Sequence, residues 1–193
     1  MIQFFLKICG FIATHWWWPH WSNFRWRKAI RCNIGILEED KIQNIYDIEP
    51  LLKKLYSKFE WTKDDITQLW DCMVPPPQIY RDYMGGLVKD DCDGFHSLVL
   101  HCLRVNGVRC YLLAVEARGA GHCVLLMQYN QLWHVIDYRR LYNGFATPEE
   151  AIHDYEEGFV KKYGAKGPVY YSGLIDYDYS DGKFKNIYLK DLK

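Results

Sequence analysis

A chain of 193 residues, 49% hydrophobic and 17% aromatic, can bury the core of one domain and is too apolar to be a disordered segment. Its 24 basic and 24 acidic side chains cancel, so nothing in the charge indicates nucleic-acid binding. Seven cysteines, an odd number with no Cys-x-x-Cys pair, point to free thiols in a reducing, cytoplasmic setting rather than to a disulfide framework.

Residues 1–37 stand apart as an N-terminal segment; residues 38–193 read as the main domain. The first segment holds Lys7, Arg25, Arg27, Lys28 and Arg31 and no acid, a charge of +5 that leaves −5 for the remainder. Phe4, Phe5, Ile8, Phe11 and Ile12 recur at helical spacing, and Trp16, Trp17, Trp18, Trp21 and Trp26 follow. Tryptophans beside basic residues suit a peripheral contact with a membrane surface. An aromatic stripe equally suits a helix packed on the body of the protein or on a protein partner. Lys7 interrupts the apolar run, which is too short for a membrane span and lacks the small residues of a secretory cleavage site.

Ile45, Ile48, Leu51, Leu52, Leu55 and Phe59 predict an amphipathic helix. Thr62-Lys63-Asp64-Asp65 predicts the start of a second, running through Trp70 to Met73. Pro75-Pro76-Pro77 predicts a loop, because a proline disfavours helix at the residue before it. From that loop Gln78 or Tyr80 could donate a hydrogen bond to an oxyanion, as could Trp70; Gln78 is the favoured donor.

The central stretch is Asp90-Asp91-Cys92-Asp93-Gly94-Phe95-His96. Phe95, Leu98, Val99, Cys102 and Leu103 then fall on one helical face, and Asn106-Gly107 supplies a stop with a glycine suited to the left-handed cap. Cys92 therefore lies at a helix N-terminus, where the backbone dipole favours thiolate and free N–H groups can hold an oxyanion. Asp91 reads as a helix cap, and Asp93 as a cap or a substrate contact. Residues 108–117, 122–129 and 131–138 predict three antiparallel strands, with the flexible loop Arg118-Gly119-Ala120-Gly121 directly before His122. In a hairpin turning near Asn130, His122 and Asp137 would lie nearly opposite one another, close enough for the carboxylate to orient the imidazole. Thiol, imidazole and carboxylate on helix, strand and strand follow the triad logic of a cysteine acyl-transfer enzyme. Taken singly, Cys92 and His122 would pass for ordinary core residues; their order and spacing give them significance together. No pair of Cys or His residues shows zinc-ligand spacing, so neither a metal nor a cofactor is expected.

Beyond the strands, Thr147-Pro148-Glu149-Glu150 predicts a helix opening on a capping box. Asp181-Gly182 between two apolar runs predicts a hairpin.

The order of Cys, then Gly-His, then Trp-x-x-x-Asp resembles the transglutaminase-like cysteine peptidase superfamily, and especially its short bacterial and phage members. Their Gly-Asp-Cys-acidic-acidic sequence is matched at Asp91, Cys92 and Asp93. Asp90 stands in place of the glycine, and Gly94 in place of the last acid. The similarity spans roughly residues 75–148. It implies an α+β, papain/transglutaminase-like core with the cysteine helix packed on an antiparallel sheet and extra N-terminal helices. It also implies Cys92 as nucleophile, His122 as base and Asp137 as orienter, with Asp93, Gly121 and Trp133 lining the cleft. The expected activity is hydrolysis of peptide or carboxamide bonds in a protein or peptide substrate. The alternatives are transglutaminase-type acyl transfer to an amine, or an idle site in a protein that binds through its Trp-rich N-terminus.

Overall fold

A computed structural model describes residues 35–37, 40–62, 73–142 and 144–192. The basic Trp-rich segment up to residue 34, the helix expected from Thr62 and the oxyanion candidate Trp70 lie outside the described residues.

The architecture is α+β. In chain order come α1 (Ile48–Ser57), β1 (Phe59–Trp61), α2 (Pro76–Gly85), β2 (Val88–Asp90), α3 (Cys92–Val105), β3 (Arg109–Ala117), β4 (Ala120–Tyr129), β5 (Leu132–Asp137), β6 (Arg140–Leu141), α4 (Pro148–Lys162), β7 (Val169–Asp178) and β8 (Lys183–Ile187). Six strands form an antiparallel sheet in the order β6-β5-β4-β3-β7-β8, and β1 and β2 form a separate parallel pair.

Each central strand is buried on both sides, which is why it reads as a nearly unbroken apolar run rather than an alternation. The alternation survives in what each residue touches. Cys110, Leu112, Cys123, Leu125 and Met127 face α3 and the helices behind it. Tyr111, Leu113, Val115, Val124 and Leu126 face α4, meeting Ala151, Ile152, Tyr155 and Phe159. Helix α3 is buried on all sides from Asp93 to Leu103, not along the single stripe its apolar spacing marks. It lies between the sheet and α1 and α2, so its His96, Ser97 and His101 are interior as well. Burying a leucine such as Leu98 contributes about 2 kcal/mol, and α3 carries three of them fully covered: Leu98, Leu100 and Leu103.

Several local expectations change. The proline run does not form a loop: Pro76 and Pro77 occupy the first turn of α2. First-turn N–H groups have no intrahelical partner, so prolines cost little there, and only Pro75 is held extended, with ψ 133°. Phe59 leaves α1 and starts β1, whose pairing with β2 matches Phe59 with Val88 and Trp61 with Asp90. Three-residue strands are too short to show a period, so neither was legible beforehand. Their role is positional, since β2 ends one residue before the N-cap of α3. The loop expected before His122 shrinks to the two-residue turn Arg118-Gly119, with Gly119 at φ 81°. Ala120 and Gly121 already pair with Ala117 and Glu116. The β4–β5 turn is Asn130-Gln131, both in left-handed conformation at φ 48° and 67°, as a tight two-residue hairpin requires. The α4 capping box forms, with Thr147 Oγ1 accepting from the Glu150 amide and Glu150 Oε2 accepting from the Thr147 amide. Gly107, at φ 78°, follows the end of α3 as expected. Among the described residues, no helix is long and apolar enough to cross a membrane.

Candidate active site

Cys92 is the first residue of α3. The preceding Asp91 is extended, and its carboxylate accepts from the Asp93 amide at 3.1 Å. Asp91 thus caps the helix and leaves Cys92 at the positive end of the dipole. Of the four cysteines among the described residues, Cys92 alone is partly accessible. Burial pushes the Cys110 thiol up to about 12 and raises Cys102 well above its ordinary value, so those two stay protonated and inert.

The sulfur of Cys92 lies against the strand that bears the histidine. The amide of Cys123, the residue after His122, donates to Cys92 Sγ at 3.4 Å. An N–H aimed at sulfur favours the thiolate over the thiol. Cys92 and His122 border one cleft of about 640 Å³.

His122 Nε2 and Asp137 Oδ1 are 3.0 Å apart. The two residues do not sit directly across the hairpin as expected. Pairing of β4 with β5 runs to Leu125–Ile136; His122 lies three residues beyond that rung and Asp137 one. The stagger of two makes them diagonal neighbours, about 7–8 Å apart at Cβ, which an imidazole can bridge. With Nε2–H donated to Asp137, Nδ1 is the nitrogen left to act as a base.

Asp137 is held from several sides. Burial alone would raise its carboxyl, but the hydrogen bond and charge of His122, with the Lys162 ammonium, hold it well below the usual carboxylate range. Tyr155 Oη donates to Oδ2 at 2.8 Å, and Tyr163 Oη lies 2.9 and 2.8 Å from the two oxygens. Burial and the adjacent Asp137 charge raise both phenols, so they remain donors. Tyr163 also lies against the imidazole, with ring centroids 4.5 Å apart. Tyr155 and Lys162 come from the middle and end of α4, and Tyr163 is its C-cap; none was anticipated. Their only sequence signal is the spacing i, i+7, i+8 on one helix face.

His96 closes the same central stretch of sequence. It is fully buried, one turn after Cys92. Its Nε2 accepts from the Tyr138 amide at 3.1 Å, which places its proton on Nδ1, donated to the Cys92 carbonyl at 2.6 Å. His96 thereby ties the Cys92 peptide to the residue after Asp137. Tyr138 sits at φ 50°, a strained conformation for a non-glycine residue, and the His96 bond helps hold it there. Burial, reinforced by the neighbouring His122, lowers His96 to about 4, so it is uncharged at neutral pH. The two imidazoles are adjacent, with ring centroids 5.8 Å apart, and differ in setting: His96 bridges two backbone groups, whereas His122 meets a carboxylate.

The other candidates separate. Asp93 and Gly121 line the cleft, joined by Trp61 from β1. Trp133 does not line it; it is buried on the α4 side of the sheet beneath Arg109. Gln78 and Tyr80 are on α2, away from the lining. Gln78 Nε2 donates to Asp82 one turn on, and the Tyr80 hydroxyl donates to Asp40 at 2.7 Å while accepting from the Leu37 amide.

The two departures from the Gly-Asp-Cys-acidic-acidic pattern share one space. A Cβ at Gly94 would lie 2.3 Å from Asp90 Cγ. The Asp90 side chain, accepting from the Asp91 amide at 2.9 Å, occupies the volume that a side chain at 94 would need. Among the described residues, the one carboxylate cluster compact enough for a metal ion is Asp90, Asp91 and Asp93. Two of its members already accept from backbone amides at the helix tip. No protein-family model matches the chain, and no curated protein matches it.

Proposed function

We propose that the chain is a cysteine hydrolase of the papain/transglutaminase-like type, cleaving a peptide or carboxamide bond. The observation that carries the reading is the His122–Asp137 hydrogen bond at the edge of the cleft that also holds Cys92 at a helix tip. His122 Nδ1 takes the thiol proton, and the sulfur attacks the substrate carbonyl. As the tetrahedral adduct collapses, the C–N bond breaks and His122 returns the proton to the departing nitrogen. Water, deprotonated by His122, then attacks the thioester, and the sulfur leaves as thiolate. Asp137 keeps the ring in the reactive tautomer and stabilises the imidazolium. The N-terminal N–H groups of α3 face the developing oxyanion. Transfer to an amine, as in a transglutaminase, uses the same three groups and differs only in the acceptor.

The test is alkylation by iodoacetamide at mildly acidic pH, followed by peptide mapping. Fast modification at Cys92, lost in Cys92→Ala and slowed in His122→Ala, is the expected result. Fast modification centred on another cysteine, or a Cys92 rate indifferent to His122→Ala, would remove the assignment.

A further inference from the structure

The cleft is lopsided in charge. Among the described residues lining it are three carboxylates, Asp91, Asp93 and Glu116, and no lysine or arginine. Asp91 is engaged in capping α3, and Asp93 is buried in the first turn. Glu116 is different: it projects from a strand and is only partly buried.

The sheet register places it. Ala114 pairs with Cys123, whose amide meets the Cys92 sulfur, and Glu116 pairs with Gly121 two rungs further out. Residues two apart share a face, so Glu116 points to the same side as Cys123 and the tip of α3. Its diagonal distance from Cys123 is about 7–8 Å at Cβ. The paired Gly121 leaves the space in front open, since a Cβ there would meet nothing within 4 Å. The Tyr170 hydroxyl donates to Glu116 Oε2 at 3.1 Å, fixing the carboxylate along the wall, and no cation among the described residues pairs with it. Partial burial raises the Glu116 carboxyl, the cost of holding a negative charge that lacks a counter-ion in the free protein.

Resting on the hydrolase reading above, we propose that Glu116 is a specificity residue, which selects a lysine or arginine side chain on the substrate residue beside the reacting carbonyl. A cation entering over Gly121 would supply the missing counter-charge, with Tyr170 holding the carboxylate in place. An acidic side chain would meet three carboxylates and no compensating base.

The test uses the 193-residue chain and peptidyl acyloxymethyl ketones whose side chain next to the electrophile is lysine, glutamine or glutamate. The second-order rate of Cys92 modification is followed by intact mass. The wild-type chain should favour the lysine probe over the glutamate probe. In Glu116→Gln that ratio should fall roughly tenfold, the scale of losing one charge pair in a partly screened cleft. Glu116→Lys should favour the glutamate probe, whereas Tyr170→Phe, which keeps the charge, should retain a lysine preference. A lysine-to-glutamate ratio identical in the wild-type chain and in Glu116→Gln would overturn the proposal. The glutamine probe reports separately on the catalytic reading: His122→Ala should slow it in every background. A rate that His122→Ala leaves unchanged refutes the triad, whatever the charge ratio does.

Discussion

Acidification should weaken this fold through His96 in a calculable way. The ring is fully buried and titrates at about 4, against 6.5 for a free histidine. Its two nitrogens are committed, one donating to the Cys92 carbonyl and one accepting from the Tyr138 amide. A second proton would break the latter bond and place a charge beside His122. The lowering comes from burial first and His122 second, with Asp137, the Cys92 carbonyl and Asp91 pulling the other way. The folded affinity is the lower one, so the unfolded chain binds a proton as pH falls through about 6.5 while the folded chain does not until about pH 4. The His96 contribution is therefore complete above that upper value and drains away between the two. Each tenfold difference in proton affinity is worth about 1.4 kcal/mol, so the loss from about pH 7.5 to about pH 4.5 is roughly 2.5 kcal/mol. The assay is urea unfolding at both pH values for the wild-type chain and His96→Asn, whose amide can keep the bond to the Cys92 carbonyl but does not titrate. Asp137 affects the comparison little, because its depressed value keeps its contribution intact until pH falls below about 4. His96→Asn should be less stable at neutral pH but should lose about 2.5 kcal/mol less on acidification. Equal losses in the two proteins would refute the account of His96 as a buried neutral bridge.

Replacing Asp137 by asparagine should slow Cys92 alkylation by about 10²–10⁴-fold while near-ultraviolet circular dichroism stays close to wild type, since the ring loses its tautomer control; a change under about threefold would detach Asp137 from the chemistry. Gly94→Ala should cost about 1–3 kcal/mol in urea unfolding because its Cβ collides with Asp90, and most of that penalty should vanish in an Asp90→Gly background; additive effects in the double-mutant cycle would show that the two positions do not share space. Leu98→Ala, at a side chain with 0% exposure in the middle of α3, should lower stability by about 2–5 kcal/mol, read as a reduced thermal midpoint. A loss below about 1 kcal/mol would mean that α3 is not the centre of the core.

Local chemistry made much of this molecule legible in advance. The α3 boundaries, the α4 capping box, the Asp181-Gly182 hairpin and the three consecutive strands all follow from interactions between residues close in the chain. Hydrophobic period, caps and tight turns act within a few residues, so a one-dimensional pattern carries them. The same holds for the position of Cys92, because a helix tip is a local property.

Other features depended on which surfaces met. Alternation within the apolar strands separates an α3 side from an α4 side, yet nothing in the run of residues marks which is which until both helices dock. Tyr80 looked free to serve an oxyanion and instead closes on Asp40, 40 residues away. Trp133 looked like a cleft wall and lies on the α4 side of the sheet. The ring of donors around Asp137 and the bridge from His96 to Tyr138 join residues 18–42 positions apart. Contacts of that range depend on docking geometry, on how far one strand is staggered past another and on which helix face turns inward. Those quantities emerge only when the whole core packs at once, so they leave no periodic trace along the chain.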